Sequence, residues 1–198
     1  IHGSDELKEK HLNAVARGEV QWCQGYSEPE SGSDLASLST RAVRDGDEFI
    51  ITGRKIWTTL AHRADWIMLL TRTDPDAPKH RGISFVLVDM KTPGIEVRPI
   101  INMANGHEFN EIIFENVRVP RANVVGEEDR GWYVAVALLG LERSGIDYLA
   151  SARRLLDDTK EFATEIKRNG VPLIEIPWVR SLMADRYIDC EVARLMAY

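Results

Sequence analysis

The sequence predicts an α+β protein with a mostly antiparallel β-barrel or sandwich at its centre and helical segments on either side. Three observations predict it. Short apolar and β-branched runs, separated by Gly, Pro and Asp, fill the region from Val20 to about Val125. A stretch with a helix-start signal precedes them. Long patterns at helical spacing follow them.

Ser4 to Arg17 reads as a helix. Ser4 or Asp5 can cap it, Leu7, His11, Leu12 and Val15 recur at helical spacing, and Gly18 ends it. Strands are expected at Phe49 to Thr52, Trp66 to Arg72, Ile83 to Asp89, Ile95 to Pro99 and Glu111 to Glu115. Asp45-Gly46-Asp47 reads as a hairpin turn, and Asp74 to His80 as a polar loop. Val119-Pro120 to Gly126 reads as a linker.

Arg130 to Lys167 then fits one long helix, or two with a kink near Gly140 or Gly145. Val134, Leu138, Leu141, Ile146, Leu149, Leu155, Leu156 and Phe162 supply its apolar stripe. Arg168 to Pro172 is a stop signal. A further helix starts near Pro177, with Val179, Leu182, Met183, Tyr187, Val192 and Leu195 expected inward. The expected divisions are a helical part at 1–19, a β-domain at 20–125 and a helical part at 126–198, whose last helix calls for further helices or a partner subunit to cover it.

At 44% hydrophobic and 28% charged, the 198 residues have an ordinary globular composition with material for a real core. A net charge of −6 argues against nucleic acid and anionic membranes as main partners. The two cysteines, Cys23 and Cys190, lie far apart without metal spacing, which fits a reducing, cytoplasmic setting. No apolar run is long enough to cross a bilayer.

Two stretches carry the chemistry. Trp22 to Leu35 reads W-C-Q-G-Y-S-E-P-E-S-G-S-D-L. Gly32 allows close backbone approach to a ligand, while Ser27, Ser33 and successive N–H groups can bind phosphate or a carbonyl oxygen. A Pro-Gly-Ser surface turn would have the same composition. The second stretch is Gly53-Arg54-Lys55-Ile56-Trp57-Thr58-Thr59. Trp57 taken alone reads as a core aromatic. Glu142 lies on an otherwise apolar helix, where desolvation would raise its pKa toward that of a working base. The alternative is a solvent-facing Glu142–Arg143 pair. His2, His11, His62, His80 and His107 show no ligand spacing, and no metal is expected. The Glu127-Glu128-Asp129-Arg130 run reads as a solvated helix start.

Together, Y-S-E-P-E-S-G-S-D and G-R-K-I-W-T-T, in this order and at this gap, closely resemble the acyl-CoA dehydrogenase family. The likeness runs from Ser4 to Tyr198. It implies a central antiparallel β-barrel flanked by helical domains, in a chain about half the family's usual length. It also implies FAD-dependent oxidation of an acyl-CoA to a trans-2-enoyl-CoA, with an electron-transfer flavoprotein as acceptor, in a homo- or hetero-tetramer.

By resemblance, Gln24, Gly25, Tyr26, Ser27, Gly32 and Ser33 line the flavin and its pyrophosphate, and Ser33 also serves the CoA side. Trp57 would cover a flavin face, Thr59 would reach the N5 edge, and Thr58 between them counts among the cofactor-binding residues. Glu142 occupies the position of the catalytic glutamate in a minority of members, and Arg143 that of a substrate-side arginine. The majority of members carry the base later in the chain.

The sequence departs from the family at Ile166, Asn169 and Pro177, where many homotetramers carry an Arg, a Phe and a Gln. There the Arg and Gln reach the neighbouring subunit's FAD, a role that Ile and Pro cannot fill. The R-N-G-V-P-L form resembles the two-subunit enzymes of steroid side-chain degradation in actinobacteria. That implies a hetero-oligomer. Two rivals keep the fold: an acyl-CoA oxidase using oxygen, and a non-catalytic assembly subunit.

Overall fold

The computed structural model describes residues 1–142 and 144–197. The chain divides into two compact units, Ile1–Ala137 and Leu138–Tyr198.

The first unit begins with helix α1 (Asp5–Ala16). Ser4 is its cap, its hydroxyl accepting the Leu7 N–H at 3.2 Å. Leu7 and His11 are buried, but Leu12 and Val15, which share their helical spacing, are exposed. The helix meets its own unit through one narrow stripe, with His11 edge-on to the stacked Trp22 and Trp66 at centroid distances of 5.2 and 4.6 Å.

Seven strands follow: β1 (Trp22–Gly25), β2 (Arg41–Asp45), β3 (Glu48–Thr59), β4 (Trp66–Arg72), β5 (Ile83–Asp89), β6 (Ile95–Ile101) and β7 (His107–Pro120). They form one sheet in the order β1-β4-β2-β3-β7-β6, with β5 on the other side of β4. Pairing is antiparallel except where β4 runs parallel to β1 and touches β2 at Arg41–Arg72. β1 and β2 thus share one edge of β4, and the chain from Tyr26 to Thr40 spans the gap between them. Gly46 turns β2 into β3 at φ +61, with Asp45 opposite Glu48. Phe49, Ile51, Ile67, Leu69, Val86, Val88, Ile112, Phe114 and Val117 fill the core.

β4 and β5 have the expected bounds, while β3, β6 and β7 run longer. β3 continues through the whole G-R-K-I-W-T-T stretch, because β7 pairs with it as far as Thr59–Phe109. β7 extends to Pro120 opposite Glu48, so Val119-Pro120 is strand and not linker. The acidic run is not simply solvated. Asp129, at φ +66, accepts the Thr73 hydroxyl at 2.5 Å and gives its N–H to Ser84, and Glu128 pairs with Arg121 at 2.8 Å.

Helix α2 (Gly131–Glu142) starts hard against β5; a Cβ on Gly131 would lie 2.2 Å from the Phe85 nitrogen. The boundary between the units falls inside α2. Of the two helical forms the sequence allowed, the structure has the broken one: α3 (Ile146–Glu165) follows Gly145 at φ +66. The stop signal is a small hairpin, β8 (Lys167–Arg168) and β9 (Val171–Pro172), turned by Asn169 and Gly170 at φ +54 and +83. α4 (Pro177–Met196) has Pro at its first turn and packs on α3.

Much of the expected apolar stripe is exposed: Leu141, Ile146, Leu155, Phe162, Leu182, Tyr187, Val192 and Leu195. In its own unit, α4 has α3 and the short 173–175 turn to pack against, which cover only part of each stripe. Among the described residues no helix is long and apolar enough to cross a membrane.

Candidate active site

The hydroxyl loop begins where β1 ends. Gln24 and Gly25 are the last β1 residues, in register with Met68 and Leu69. Gly25 is required by packing, since a Cβ there would meet Ile67 and Leu69 side chains at 2.6 and 2.8 Å. Tyr26 is buried, its ring edge-on to Phe85 at 6.3 Å. The chain reverses at Pro29-Glu30, where Glu28 and Ser31 exchange both backbone hydrogen bonds at 2.8 and 3.0 Å. Gly32 and Ser33 stand exposed beyond the turn. A Cβ on Gly32 would meet nothing within 4 Å, so that side of the loop is open.

β3 holds this loop. The Ile56 N–H donates to the Ser27 carbonyl at 2.9 Å. Beneath it, Lys55 and Glu28 form a buried ion pair at 2.8 Å, with side chains 0% and 4% exposed. Lys55 also donates to the Tyr26 carbonyl at 3.0 Å. Glu28 further accepts the Ser39 N–H and hydroxyl and the Thr40 N–H, at 2.7, 2.8 and 2.9 Å. Burial opposes the Glu28 charge, but Lys55 and the three other donors outweigh it and hold the carboxyl down at about 2. For Lys55 burial dominates and lowers its ammonium to about 8, against the pull of Glu28.

The loop's far end is tied to the β4–β5 loop. Asp34 accepts the Ser37 hydroxyl at 2.7 Å and pairs with Lys79, whose hydrogen bond holds its carboxyl below the usual range. Arg72 donates to the Ala36 carbonyl at 2.6 Å and to the carbonyls of Lys79 and Arg81.

Just past Lys55 the β3–β7 register slips, and Trp57 takes φ +61. A left-handed backbone at a bulky residue is strained, and such strain persists where surrounding structure imposes it. The bulge leaves the indole 59% exposed. Thr58 is turned inward, 2% exposed, and among the described residues its buried hydroxyl has no hydrogen-bond partner. Thr59 is exposed. Asn110 supports this end of the strand: its amide donates to the Thr58 carbonyl at 3.0 Å. Its oxygen contacts His62 Nδ1 at 3.3 Å and His107 Nε2 at 2.8 Å, and the two imidazoles stack at 3.9 Å.

Ser27, Trp57 and Thr59 are therefore gathered about one stretch of β3, and Gly32 and Ser33 lie on the open limb of the attached loop. An exposed aromatic plate beside free hydroxyls and an uncrowded glycine fits a flat polar ring system such as FAD. The Thr58 side chain does not join them, because the bulge resets the strand's alternation and sends it into the sheet. Glu142 ends α2 in the second unit and is exposed. The chain's own residues do not bury it, so the desolvation expected from its apolar neighbours does not arise within the described chain. Arg143 lies outside the described residues. Glu28, Lys55 and Asn110 went unrecognised in the sequence, as did the contact of His62 with His107. The signal for Lys55 was its parity: Phe49, Ile51, Gly53 and Lys55 fall on one face of β3.

The hydroxyl loop held by β3 and the indole carried on the β3 bulge thus belong to one mostly antiparallel β-domain. Residues 23–117 match the profile described as acyl-CoA dehydrogenase, middle domain, and residues 129–198 match that of the acyl-CoA dehydrogenase C-terminal domain. The chain belongs to the acyl-CoA dehydrogenase family. It is 51% identical over 142 residues to acyl-CoA dehydrogenase FadE34 of Mycobacterium tuberculosis (strain ATCC 25618 / H37Rv), covering 72% of this chain and 20% of that protein. It is 44% identical over 174 residues to FadE29 of the same organism, covering 88% and 45%. A solved structure described as the Tcur3481-Tcur3483 steroid ACAD G363A variant superposes with a TM-score of 0.80 at 42% identity, covering 99% of this chain and 50% of that one. The chain thus spans half or less of the length of these relatives.

Proposed function

We propose that the whole protein oxidises an acyl-CoA thioester to a trans-2-enoyl-CoA using FAD, and passes the electrons to an electron-transfer flavoprotein. The observation that carries this reading is Trp57, an exposed indole held at φ +61 beside a hydroxyl loop anchored to the same strand. When bound, FAD supplies the acceptor for the β-hydrogen. Glu142 takes the α-proton, and Arg143 steadies the CoA side. The bound thioester contributes desolvation that makes Glu142 an effective base. Trp57 packs one face of the ring system, Ser27 and Thr59 offer hydroxyls to its polar edge, and Ser33 serves the cofactor and CoA side.

Likeness to a steroid ACAD favours a bulky CoA ester. Ile166, Asn169 and Pro177 support a hetero-oligomer. Ile166 caps α3, Asn169 is the left-handed tip of the β8–β9 hairpin, and Pro177 opens α4, so these three serve backbone geometry. A buried and a half-buried free thiol, Cys23 and Cys190, agree with a cytoplasmic enzyme.

Glu142→Gln in the whole protein, co-expressed with its partner, tests the assignment. The variant should keep its FAD and reduce it several orders of magnitude more slowly on mixing with acyl-CoA. Nearly unchanged reduction would place the base elsewhere. Rapid reoxidation in air would favour the oxidase, and colourless protein the assembly subunit.

A further inference from the structure

We propose that Glu28 and Lys55 act as a latch that fixes the hydroxyl loop and the Trp57 bulge relative to one another, and so sets the shape of the cofactor bed. This rests on the function proposed above. Both are positioning residues, buried beneath the surface that Ser27 and Trp57 present.

The two side chains gather three separate stretches of backbone. Lys55 reaches the Tyr26 carbonyl where the loop starts, and Glu28 takes Ser39 and Thr40 where it ends. Lys55 itself belongs to β3, two residues before Trp57. The backbone confirms how tightly the loop's end is pressed on that strand. The Thr40 hydroxyl donates to the Arg54 carbonyl at 3.4 Å, and a Cβ on Gly53 would lie 2.6 Å from the Thr40 Cα.

Stability alone does not explain such a pair. Taking two charges out of water costs several kcal/mol, and apolar residues of equal volume often serve as well or better. What the pair adds is direction, since its hydrogen bonds hold only in one arrangement. Glu28 accepts four directed donors and Lys55 donates to two acceptors, which leaves this segment little freedom to slide along β3. A slide would carry Ser27 away from Trp57, because the Ile56 N–H, one residue before Trp57, holds the Ser27 carbonyl.

The test uses the whole protein in three forms: Lys55→Met, the double variant Glu28→Gln with Lys55→Met, and Lys55→Arg. The double variant buries no unpaired charge and keeps the experiment informative should Lys55→Met fail to fold. Amide exchange at Ser39, Thr40 and Ile56 is measured on FAD-free protein, and FAD affinity on reconstitution. The expected result for the double variant is exchange at least about tenfold faster at these amides, with core amides such as Ile67 unchanged. FAD binding should weaken by about tenfold or more, with partial recovery in Lys55→Arg. Exchange and FAD affinity within about twofold of wild type, with only a lowered Tm, would overturn the latch. Wild-type protein that takes up no FAD would instead sink the functional reading, while the exchange result would still decide whether the pair fixes the loop.

Discussion

Trp57 and Phe109 meet edge to face, with ring centroids 6.2 Å apart and planes at 80°. Phe109 stands opposite Thr59 in the β3–β7 ladder, so the partner strand props the indole from the side while the bulge pushes it outward. Phe109→Ala should therefore loosen the indole. The expected cost is about 1 kcal/mol in stability beyond lost burial. Flavin binding should weaken without being abolished, as read by FAD titration.

Trp57 itself is costly to the fold. Replacing it with Gly relieves the left-handed backbone, worth about 1–3 kcal/mol, and gives up a side chain that is already more than half exposed. Trp57→Gly should unfold within about 1 kcal/mol of wild type in urea, or later, while losing most FAD affinity. A large loss of stability would mean that the indole serves the core.

The buried pair gives the β-domain an acid limb. The Glu28 carboxyl lies at about 2 in the folded chain, against an ordinary value of 4.5. The unfolded chain therefore takes up this proton first. Stability from the pair is present above about pH 4.5 and is lost as pH falls toward 2. Urea unfolding from pH 6 to 3 should show this decline in wild type and a flatter profile in Glu28→Gln, carried without or with Lys55→Met.

Asn110 is fully buried and joins Thr58 to two imidazoles. Because its amide nitrogen serves the Thr58 carbonyl, its oxygen must accept from both rings. His62 then carries hydrogen on Nδ1 and His107 on Nε2, an assignment that nitrogen-15 NMR can check. Asn110→Leu should cost about 1–3 kcal/mol by stranding the Thr58 carbonyl, and should release the stacked rings.

Cys23 is 4% exposed, and burial pushes its thiol up to about 12. It should resist alkylation at neutral pH until the β-domain unfolds. Labelling of Cys23 in the native protein would contradict the strand assignment of β1.

Runs such as Trp66–Arg72 and Ile83–Asp89 were legible because apolar side chains fill most of each strand. β3 was legible only in its first half: beyond Thr52 it carries Gly, Arg and Lys, which composition reads as surface. Its inward parity through Lys55 was nonetheless present, and it breaks at the bulge, which turns Thr58 inward. The pairing of Glu28 with Lys55 is a long-range fact, 27 residues apart, to which no local pattern points. On the helices the apolar stripe was read correctly as a stripe, but burial depends on neighbours. Leu155 and Leu195 remain 67% and 68% exposed. The same limit applies to Glu142: its apolar neighbours in sequence do not bury it, and it is exposed, as the alternative reading allowed.

The loop anchored by Glu28 and Lys55 and the Trp57 bulge are proposed to form a flavin bed serving acyl-CoA oxidation. Anaerobic titration of the purified whole protein with acyl-CoA esters tests it most directly. The account predicts yellow protein whose visible flavin band bleaches on addition of a CoA ester, with a trans-2-enoyl-CoA formed in equal amount. Bound flavin that no acyl-CoA ester reduces, or protein that holds no flavin when its partner is present, would contradict it.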